Sequence, residues 1–168
     1  IAVTGASGLI GSALVGQLRL DGYQVKKLVR RSPRTSDEVS WDPIKGEIDL
    51  KSLEGVDAVF HLAGAGVGDK RWSAAYRSKI LNSRLLGTTT IAAACEELQP
   101  EVFISASAIG YYGETGNRSV TEVDRGGEDF QRLLVLPLRQ RQLADAAGGP
   151  PVLVEPHTLI EPSLLSAA

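Results

Sequence analysis

The 168-residue sequence has little of what several protein classes require. It contains one cysteine, so no internal disulfide can form, and Cys95 is best explained as a small buried hydrophobe on a helix. No run of eighteen apolar residues occurs, and the amino terminus lacks a positively charged segment. The sequence therefore predicts neither a membrane span nor a secretory signal, and a cytoplasmic location is the expectation.

The sequence also has a small net charge and no cluster of metal-ligating residues. The formal net charge is -2, so no global field attracts nucleic acid or anionic lipid, and we expect neither as a partner. His157 has no cysteine or histidine near it at metal-ligand spacing, and no metal site is predicted. His61 stands inside an apolar run, which is more typical of a packed core residue than of a ligand.

What the sequence does contain is a regular succession of strand and helix patterns. In chain order these are strand 1–4, helix 9–18, strand 23–29, short strands 39–42 and 47–50 around a turn, strand 57–62, helix 72–98 and strand 102–106. Asp21-Gly22 and Pro100 are expected to end the two helices. This order predicts an α/β fold: a Rossmann-type, doubly wound parallel sheet with helices on both faces. The hairpin at 39–50 is expected to be a local embellishment.

The organisation of the chain changes near residue 130. Residues 1–130 are predicted to form an NAD(P)-binding Rossmann domain, and residues 131–168 a divergent segment that either completes the sheet or is disordered. Pro137 interrupts the apolar run of that segment, while Val152 to Val154 predicts a last strand. Because Ile1 already lies within a strand pattern, we also expect that a residue or two is missing before it.

Three glycines connect the first strand to the first helix. Gly5, Gly8 and Gly11 therefore occur in the context that a dinucleotide-binding fingerprint requires. Glycine permits positive φ, lets the backbone approach a pyrophosphate, and lets helix and strand pack closely. The amides and the positive dipole end of the helix then face the anion. A structural turn that holds no ligand is the alternative.

The second strand ends in Arg30 and Arg31. The common fingerprint has an acidic residue here, which binds the ribose hydroxyls of NAD. Guanidinium groups instead suit a 2′-phosphate, because their planar donors pair with phosphate oxygens in a bidentate manner. The sequence thus predicts NADP(H) in preference to NAD(H), and a solvated basic loop is the alternative.

Several motifs occur in the order typical of one enzyme class. They are Thr4-Gly5-Ala6-Ser7-Gly8-Leu9-Ile10-Gly11, Leu28-Val29-Arg30-Arg31, Trp41-Asp42-Pro43, Leu62-Ala63-Gly64, Arg71-Trp72, Ser83-Arg84 and Ser105-Ala106-Ser107-Ala108-Ile109-Gly110-Tyr111-Tyr112-Gly113. Together they resemble the atypical extended short-chain dehydrogenase/reductases, and more closely the sulA-type nucleoside-diphosphate-sugar epimerases of the NAD-dependent epimerase/dehydratase superfamily. The resemblance covers residues 1 to about 130, as expected for a truncated member.

The resemblance implies roles for individual residues. It implies that Leu62 and Ala63 line the adenine and ribose side, that Arg84 reaches the cofactor from the long helix, and that Ser107 hydrogen-bonds the reacting oxygen. Tyr111 is the second catalytic candidate. The full implied cofactor set is Gly5, Ser7, Gly8, Leu9, Ile10, Gly11, Arg30, Arg31, Leu62, Ala63, Gly64, Arg84 and Ser105. Each residue also has a structural alternative: core packing for Leu62 and Ala63, an exposed helix arginine for Arg84, and a satisfied strand-end hydroxyl for Ser107.

One motif of that class is missing. Extended reductases carry Tyr-x-x-x-Lys, in which lysine lowers the pKa of the tyrosine for acid–base work, but neither Tyr111 nor Tyr112 has a lysine four residues on. We expect an NADP(H)-dependent oxidoreductase or epimerase that transfers hydride to or from a sugar-nucleotide-like or small carbonyl substrate. A non-catalytic NADP(H)-binding module, or an inactive fragment, is the alternative. Whether the chain is an enzyme, and whether it forms a homodimer, stays open.

Overall fold

The structure, a computed structural model, describes residues 1–106, 112–113, 115–121, 124 and 152–153. The elements are β1 Ala2–Thr4, α1 Leu9–Leu20, β2 Lys26–Val29, β3 Glu38–Asp42, β4 Glu47–Ile48, a 3-10 turn Lys51–Leu53, β5 Ala58–His61, α2 Ala74–Leu98, β6 Val102–Ser105 and β7 Val152–Leu153. The predicted succession of strands and helices over residues 1–106 is confirmed. The predicted boundary near residue 130 and most of the segment after it lie outside the described residues.

The strands form one sheet with the order β4-β3-β2-β1-β5-β6-β7. Every pair is parallel except β3 and β4, which pair antiparallel at one edge. From β1 the chain proceeds through α1 to β2 on one side, whereas from β5 it proceeds through α2 to β6 on the other. The sheet is therefore doubly wound, as predicted, and mostly parallel.

The two helices lie on opposite faces of the sheet. Successive residues of a strand point to opposite faces. Ala2 packs in a cluster with Ile91 of α2, and its neighbour Val3 packs in a second cluster with Val15 of α1. Both Ala2 and Val3 are fully buried. The predicted placement of helices on both faces is thus confirmed.

The helix ends follow from local chemistry. Gly22, with φ of +85°, follows the C-cap of α1, and its N–H donates to Arg19 while the N–H of Tyr23 donates to Leu18. That pair of bonds is a Schellman motif, which satisfies carbonyls that the helix leaves open. At α2, the Ser73 hydroxyl caps the start, and Gln99 ends the helix in the left-handed conformation just before Pro100. Both predicted stops are confirmed.

The region of 39–50 is more closely joined to the sheet than a local embellishment need be. The two predicted short strands are present and pair antiparallel with each other, and β3 also pairs with β2 in parallel, with Leu28 opposite Val39. Val39 and Trp41 are buried in the cluster beneath α2, because alternate residues of β3 are apolar and reach that face. Burial of this apolar face makes β3 a strand of the sheet, and only β4 is an antiparallel addition.

Candidate dinucleotide-binding site

The candidate site lies where the strand order reverses. β1 and β5 are neighbours at the centre of the sheet, and the connections that follow them diverge to opposite faces. In open α/β sheets such a divergence leaves a crevice at the carboxyl ends of the strands. Two loops border it here, residues 5–8 after β1 and residues 62–73 after β5.

Glycine is required at one position of the first loop and at one position of the first turn of α1. Gly5 has φ of +66°, and a Cβ there would lie 2.7 Å from the carbonyl carbon and oxygen of Leu62. A Cβ on Gly11 would lie 2.2 Å from the Gly5 carbonyl oxygen. The first position therefore brings β1 and β5 loops together, and the second brings α1 against the turn. Both uses of glycine are those that the fingerprint predicts.

The start of α1 has no side-chain cap. Gly8 is the N-cap, its N–H donates to the Gly5 carbonyl at 3.0 Å, and it has no side chain that could accept bonds from the first-turn amides. The side chains of Leu9 and Ile10 are 92% and 71% exposed. Amides at a helix start and the positive end of the dipole form an anion site. The tight glycine cradle and this helix start fit a pyrophosphate.

A buried hydroxyl joins the two strands below the cradle. Thr4 Oγ1 lies 2.8 Å from His61 Nδ1 and accepts hydrogen bonds from the amides of Leu62, at 3.1 Å, and Ala63, at 3.2 Å. Thr4 is fully buried. The end of β1 therefore holds the first residues of the β5 loop, the same residues that contact Gly5. Leu62 and Ala63 are half-buried and border the crevice.

These bonds define the protonation of His61. A threonine hydroxyl has one proton and two acceptor sites, and the two amides use both acceptor sites. The Thr4 hydroxyl proton is then donated to Nδ1, so Nε2 carries the ring proton and faces Thr88 Oγ1 at 3.4 Å. Burial lowers the pKa of His61 to about 4. His61 is thus a core histidine, as predicted, and its ring makes a T-shaped contact with that of Trp41, with centroids 6.2 Å apart.

Ser105 continues the row of polar side chains across the sheet. It is in register with His61, which is in register with Thr4. Ser105 is buried, and its Oγ has no hydrogen-bond partner among the described residues. A buried hydroxyl without a partner is costly in a folded protein. Its position at the carboxyl end of β6 suits a polar ligand group at the edge of the crevice.

The second loop is held to α2 by side chains. Ser83 Oγ accepts from the Ala65 amide at 2.9 Å and donates to the Ile80 carbonyl at 2.8 Å. The Tyr76 hydroxyl donates to the Gly66 carbonyl at 2.7 Å, and its pKa is raised by burial. The loop is therefore supported by the first three turns of the helix.

Arg84 lies beneath the same loop. Its Nη1 donates to the Ala65 carbonyl at 3.0 Å and to the Ile80 carbonyl at 3.3 Å, and a Cβ on Gly64 would lie 3.4 Å from its Cζ. Burial lowers the pKa of this guanidinium. The structure brings Arg84 and Gly64 together at the loop, and Arg84 is half-buried rather than the exposed helix arginine of the alternative.

The two arginines after β2 differ in their surroundings. Arg31 donates from Nη1 and Nη2 to the two carboxylate oxygens of Glu38, both at 2.7 Å, and this pairing lowers the pKa of Glu38 to about 2. Arg30 is exposed and makes no ion pair with any described residue. Among the described residues, therefore, Arg30 and not Arg31 has a guanidinium without a carboxylate partner at the end of β2.

The remaining candidates are placed as follows. Ser7 is exposed in the glycine turn. Ser107 and Tyr111, the predicted catalytic pair, lie outside the described residues. Tyr112 is described: it is buried against Tyr76 and Ile80. Within the described ranges, no three ligating side chains converge as a metal site, and neither helix combines the length and apolarity that a membrane span needs.

Sequence reasoning missed the residues that support the loops. The sequence predicted Thr4 only as part of the glycine motif, and it predicted no functional role for Glu38 or Tyr76. For Thr4 a signal existed, since a hydroxyl at the end of a buried strand needs a partner. Glu38 and Tyr76 offered none, because their partners Arg31 and Gly66 are defined only by the loop geometry.

The doubly wound sheet, the glycine cradle at its switch point and the helix start behind it define a nucleotide-binding Rossmann domain. The model of the NAD dependent epimerase/dehydratase family matches residues 1–131. The chain belongs to that family.

Individual relatives agree with this assignment. An epimerase family protein from Mycobacterium leprae is 42% identical over 130 residues, which are 77% of this chain and 42% of the relative. The human epimerase family protein SDR39U1 with NADPH superposes with a TM-score of 0.71 at 26% identity, covering 83% of this chain and 47% of that one. MoeE5 in complex with UDP-glucose and NAD has a TM-score of 0.71 at 31% identity, covering 89% and 50%. The chain thus spans half or less of these relatives.

Proposed function

We propose that this chain is the NADP(H)-binding part of an oxidoreductase or epimerase. The observation that carries the proposal is the tight glycine turn between β1 and α1 at the switch point, where backbone packs so closely at Gly5 and Gly11 that a Cβ would clash. This close packing places the turn and the start of α1 together at the carboxyl edge of the sheet, where ligands bind in open α/β folds. The positive dipole end at the α1 start adds the electrostatic complement of a pyrophosphate.

Different residues around the crevice would contact different parts of the cofactor. The turn from Gly5 to Gly11 would hold the pyrophosphate, Leu62 and Ala63 would border the adenine and ribose side, and Arg84 would support the loop at Gly64. The unpartnered hydroxyl of Ser105 would take a polar group near the nicotinamide end. When bound, the nicotinamide supplies hydride transfer, and the protein supplies position and exclusion of water.

Preference for NADP(H) rests on the end of β2. Arg30 and Arg31 stand where an acidic residue would favour NAD, and Arg30 is free of carboxylate partners among the described residues. The human relative was solved with NADPH, which supports this choice, although MoeE5 holds NAD. A 2′-phosphate would gain a charge-assisted contact that the ribose hydroxyl of NAD cannot make.

The substrate class follows from the relatives and not from described residues. UDP-glucose in MoeE5 supports a sugar-nucleotide substrate, and a small carbonyl compound is the broader class. Ser107 and Tyr111 remain the proposed catalytic groups. The proposal includes a cytoplasmic location and a small-molecule substrate.

A non-catalytic NADP(H)-binding module is the second candidate. The missing Tyr-x-x-x-Lys favours it. Turnover of NADPH with sugar nucleotides and small carbonyl compounds separates the candidates: binding with turnover identifies an enzyme, and binding without turnover identifies the module.

Equilibrium titration tests the cofactor assignment. Reduced nicotinamide accepts energy from tryptophan, and Trp41 packs on His61 directly below the β5 loop. We expect NADPH to saturate at micromolar concentrations and NADH to bind at least about tenfold more weakly, since one charge-assisted contact is lost. The proposal would be overturned if neither nucleotide saturates the chain while its circular dichroism spectrum shows that it is folded.

A further inference from the structure

Three segments meet in a small apolar cluster beside the candidate site. Its buried members are Tyr76, Ile80 and Tyr112, and the partly buried residues that pack against them include Ala65 and Val120. These residues come from α2, from the β5 loop and from the chain after β6. Among the described residues, the cluster shares no member with the two clusters that pack on the sheet. It is therefore held together by these three segments and not by the main core.

Tyr76 joins two of these segments with different parts of one side chain. Its ring is buried in the cluster, while its hydroxyl donates to the Gly66 carbonyl of the β5 loop at 2.7 Å. Asp69 of the same loop lies close by, since a Cβ on Gly66 would overlap its carboxylate. Burial and the charge of Asp69 both raise the pKa of Tyr76. The phenol therefore stays protonated at neutral pH and donates its proton to the loop.

The segments that meet at Tyr76 are those on which the proposed function depends. The first residues of the β5 loop border the crevice. The chain between β6 and Tyr112 contains Ser107 and Tyr111, the proposed catalytic groups. One end of that chain follows β6, and the other end is buried in the cluster. The cluster thus connects the loop beside the cofactor to the chain that carries the proposed catalytic groups.

We infer that Tyr76 is a positioning residue, which couples the β5 loop to the chain after β6 and so sets the cofactor relative to Ser107 and Tyr111. The inference rests on the proposed NADP(H) binding and adds a coupling between two parts of that site. Because Tyr76 is buried, it acts through the loop and not by contact with a ligand. A change at Val120, in the chain after β6, should then reach the β5 loop through the cluster.

Hydrogen exchange of the Ala65 amide, which is bonded to Ser83 Oγ, tests the coupling without a cofactor. Tyr76→Phe removes the hydroxyl and keeps the ring, whereas Val120→Ala shortens a side chain of the other segment. We expect each variant to speed the exchange about fivefold, as the loss of one weak contact would. Val56→Ala makes the same change at a partly buried valine of the main core and should have no effect. Unchanged exchange in Val120→Ala would overturn the inference.

Titration with NADPH and NADH measures the effect on the site. Tyr76→Phe and Val120→Ala are each expected to weaken both nucleotides about fivefold, because the β5 loop is less firmly held. In the double variant, the total loss should be smaller than the product of the two single losses, since both changes act through one cluster. Two controls should leave both affinities unchanged: Val56→Ala, and Tyr23→Phe, which removes the hydroxyl of a tyrosine that is 55% exposed.

The controls separate positioning from a merely structural role. If Val120 only stabilises the fold, urea denaturation shows losses in Val120→Ala and Val56→Ala alike, and neither variant changes nucleotide affinity. That result would overturn the inference, as would single losses that multiply in the double variant or affinities unchanged by Tyr76→Phe. If the unsubstituted chain binds neither nucleotide, the proposed function fails, whereas exchange of the Ala65 amide still decides whether the cluster couples the two segments.

Discussion

Thr4 Oγ1 lies 2.8 Å from His61 Nδ1, so a buried hydrogen bond joins the end of β1 to the end of β5 where the strand order reverses. The same oxygen accepts from the amides of Leu62 and Ala63. One hydroxyl thus links the histidine in the core to the loop that borders the crevice. The geometry of the candidate site depends on the core directly beneath it.

Thr4→Val removes the hydroxyl while keeping the shape of the side chain. We expect a loss of about 2 kcal/mol in the free energy of unfolding, because two amides and a histidine nitrogen lose their partner. Urea denaturation measures it. Thr90→Val is the matched control: Thr90 is also buried, but its hydroxyl donates only to the Leu86 carbonyl within α2. Equal losses in the two variants would contradict the role given to Thr4.

Gly11→Ala tests the packing of α1 on the turn. A Cβ at this position would lie 2.2 Å from the Gly5 carbonyl oxygen, so the helix and the turn must separate. We expect a loss of at least about 2 kcal/mol in stability and of NADPH binding. In the same helix, a Cβ on Gly16 would meet nothing within 4 Å.

Gly16→Ala is therefore the control for that change. It should stabilise the chain by up to about 1 kcal/mol, since alanine favours a helix interior over glycine. Thermal unfolding of both variants gives the comparison. A Gly11→Ala variant as stable as the original chain would show that the turn does not have the close contact described.

Acid should destabilise the chain through His61. Burial lowers its folded pKa to about 4 from an ordinary value of 6.5. Between pH 6.5 and pH 4, His61 is protonated in the unfolded state but not in the folded state. The free energy of unfolding therefore falls as the pH drops from 6.5 toward 4, by at most about 3 kcal/mol. Urea midpoints across this range, compared with those of His61→Gln, isolate the effect. If both proteins show the same pH dependence, His61 is not the group responsible.

Ser83→Ala tests the attachment of the β5 loop to α2. The Ala65 amide would lose its acceptor, and we expect a cost of about 1 kcal/mol together with weaker NADPH binding. Ser78→Ala serves as the control, because Ser78 lies exposed on the same helix and accepts only a long bond from Asn82 at 3.5 Å. It should change stability by no more than about 0.5 kcal/mol. If Ser83→Ala leaves the affinity for NADPH unchanged, the attachment of the β5 loop to α2 does not contribute to cofactor binding.

Sequence patterns predicted the order of elements because each depends on local chemistry. Gly22 and Pro100 end helices through backbone geometry alone, and the alternation of β3 shows in the sequence. What the pattern of 39–50 could not show was its partner: a short strand predicts a hairpin with its neighbour, and the parallel pairing with β2 arises only from burial of Trp41 under α2.

In the candidate site, too, some features could be predicted from the sequence and others could not. Gly5 and Gly11 were predictable, because few residues other than glycine tolerate those positions. The inequality of Arg30 and Arg31 was not, since adjacent arginines look equivalent until the loop brings Glu38 to one of them. Pairing between side chains distant in the sequence is a tertiary property, and no local pattern encodes it.

Amide chemical-shift mapping with NADPH tests the central claim, that the cofactor binds at the switch point between β1 and β5. We expect the largest shifts at Ser7 to Gly11, at Leu62 to Gly64 and at Arg30, with the β3–β4 turn unchanged. Shifts confined to other surfaces, or none at saturating NADPH, would contradict the claim.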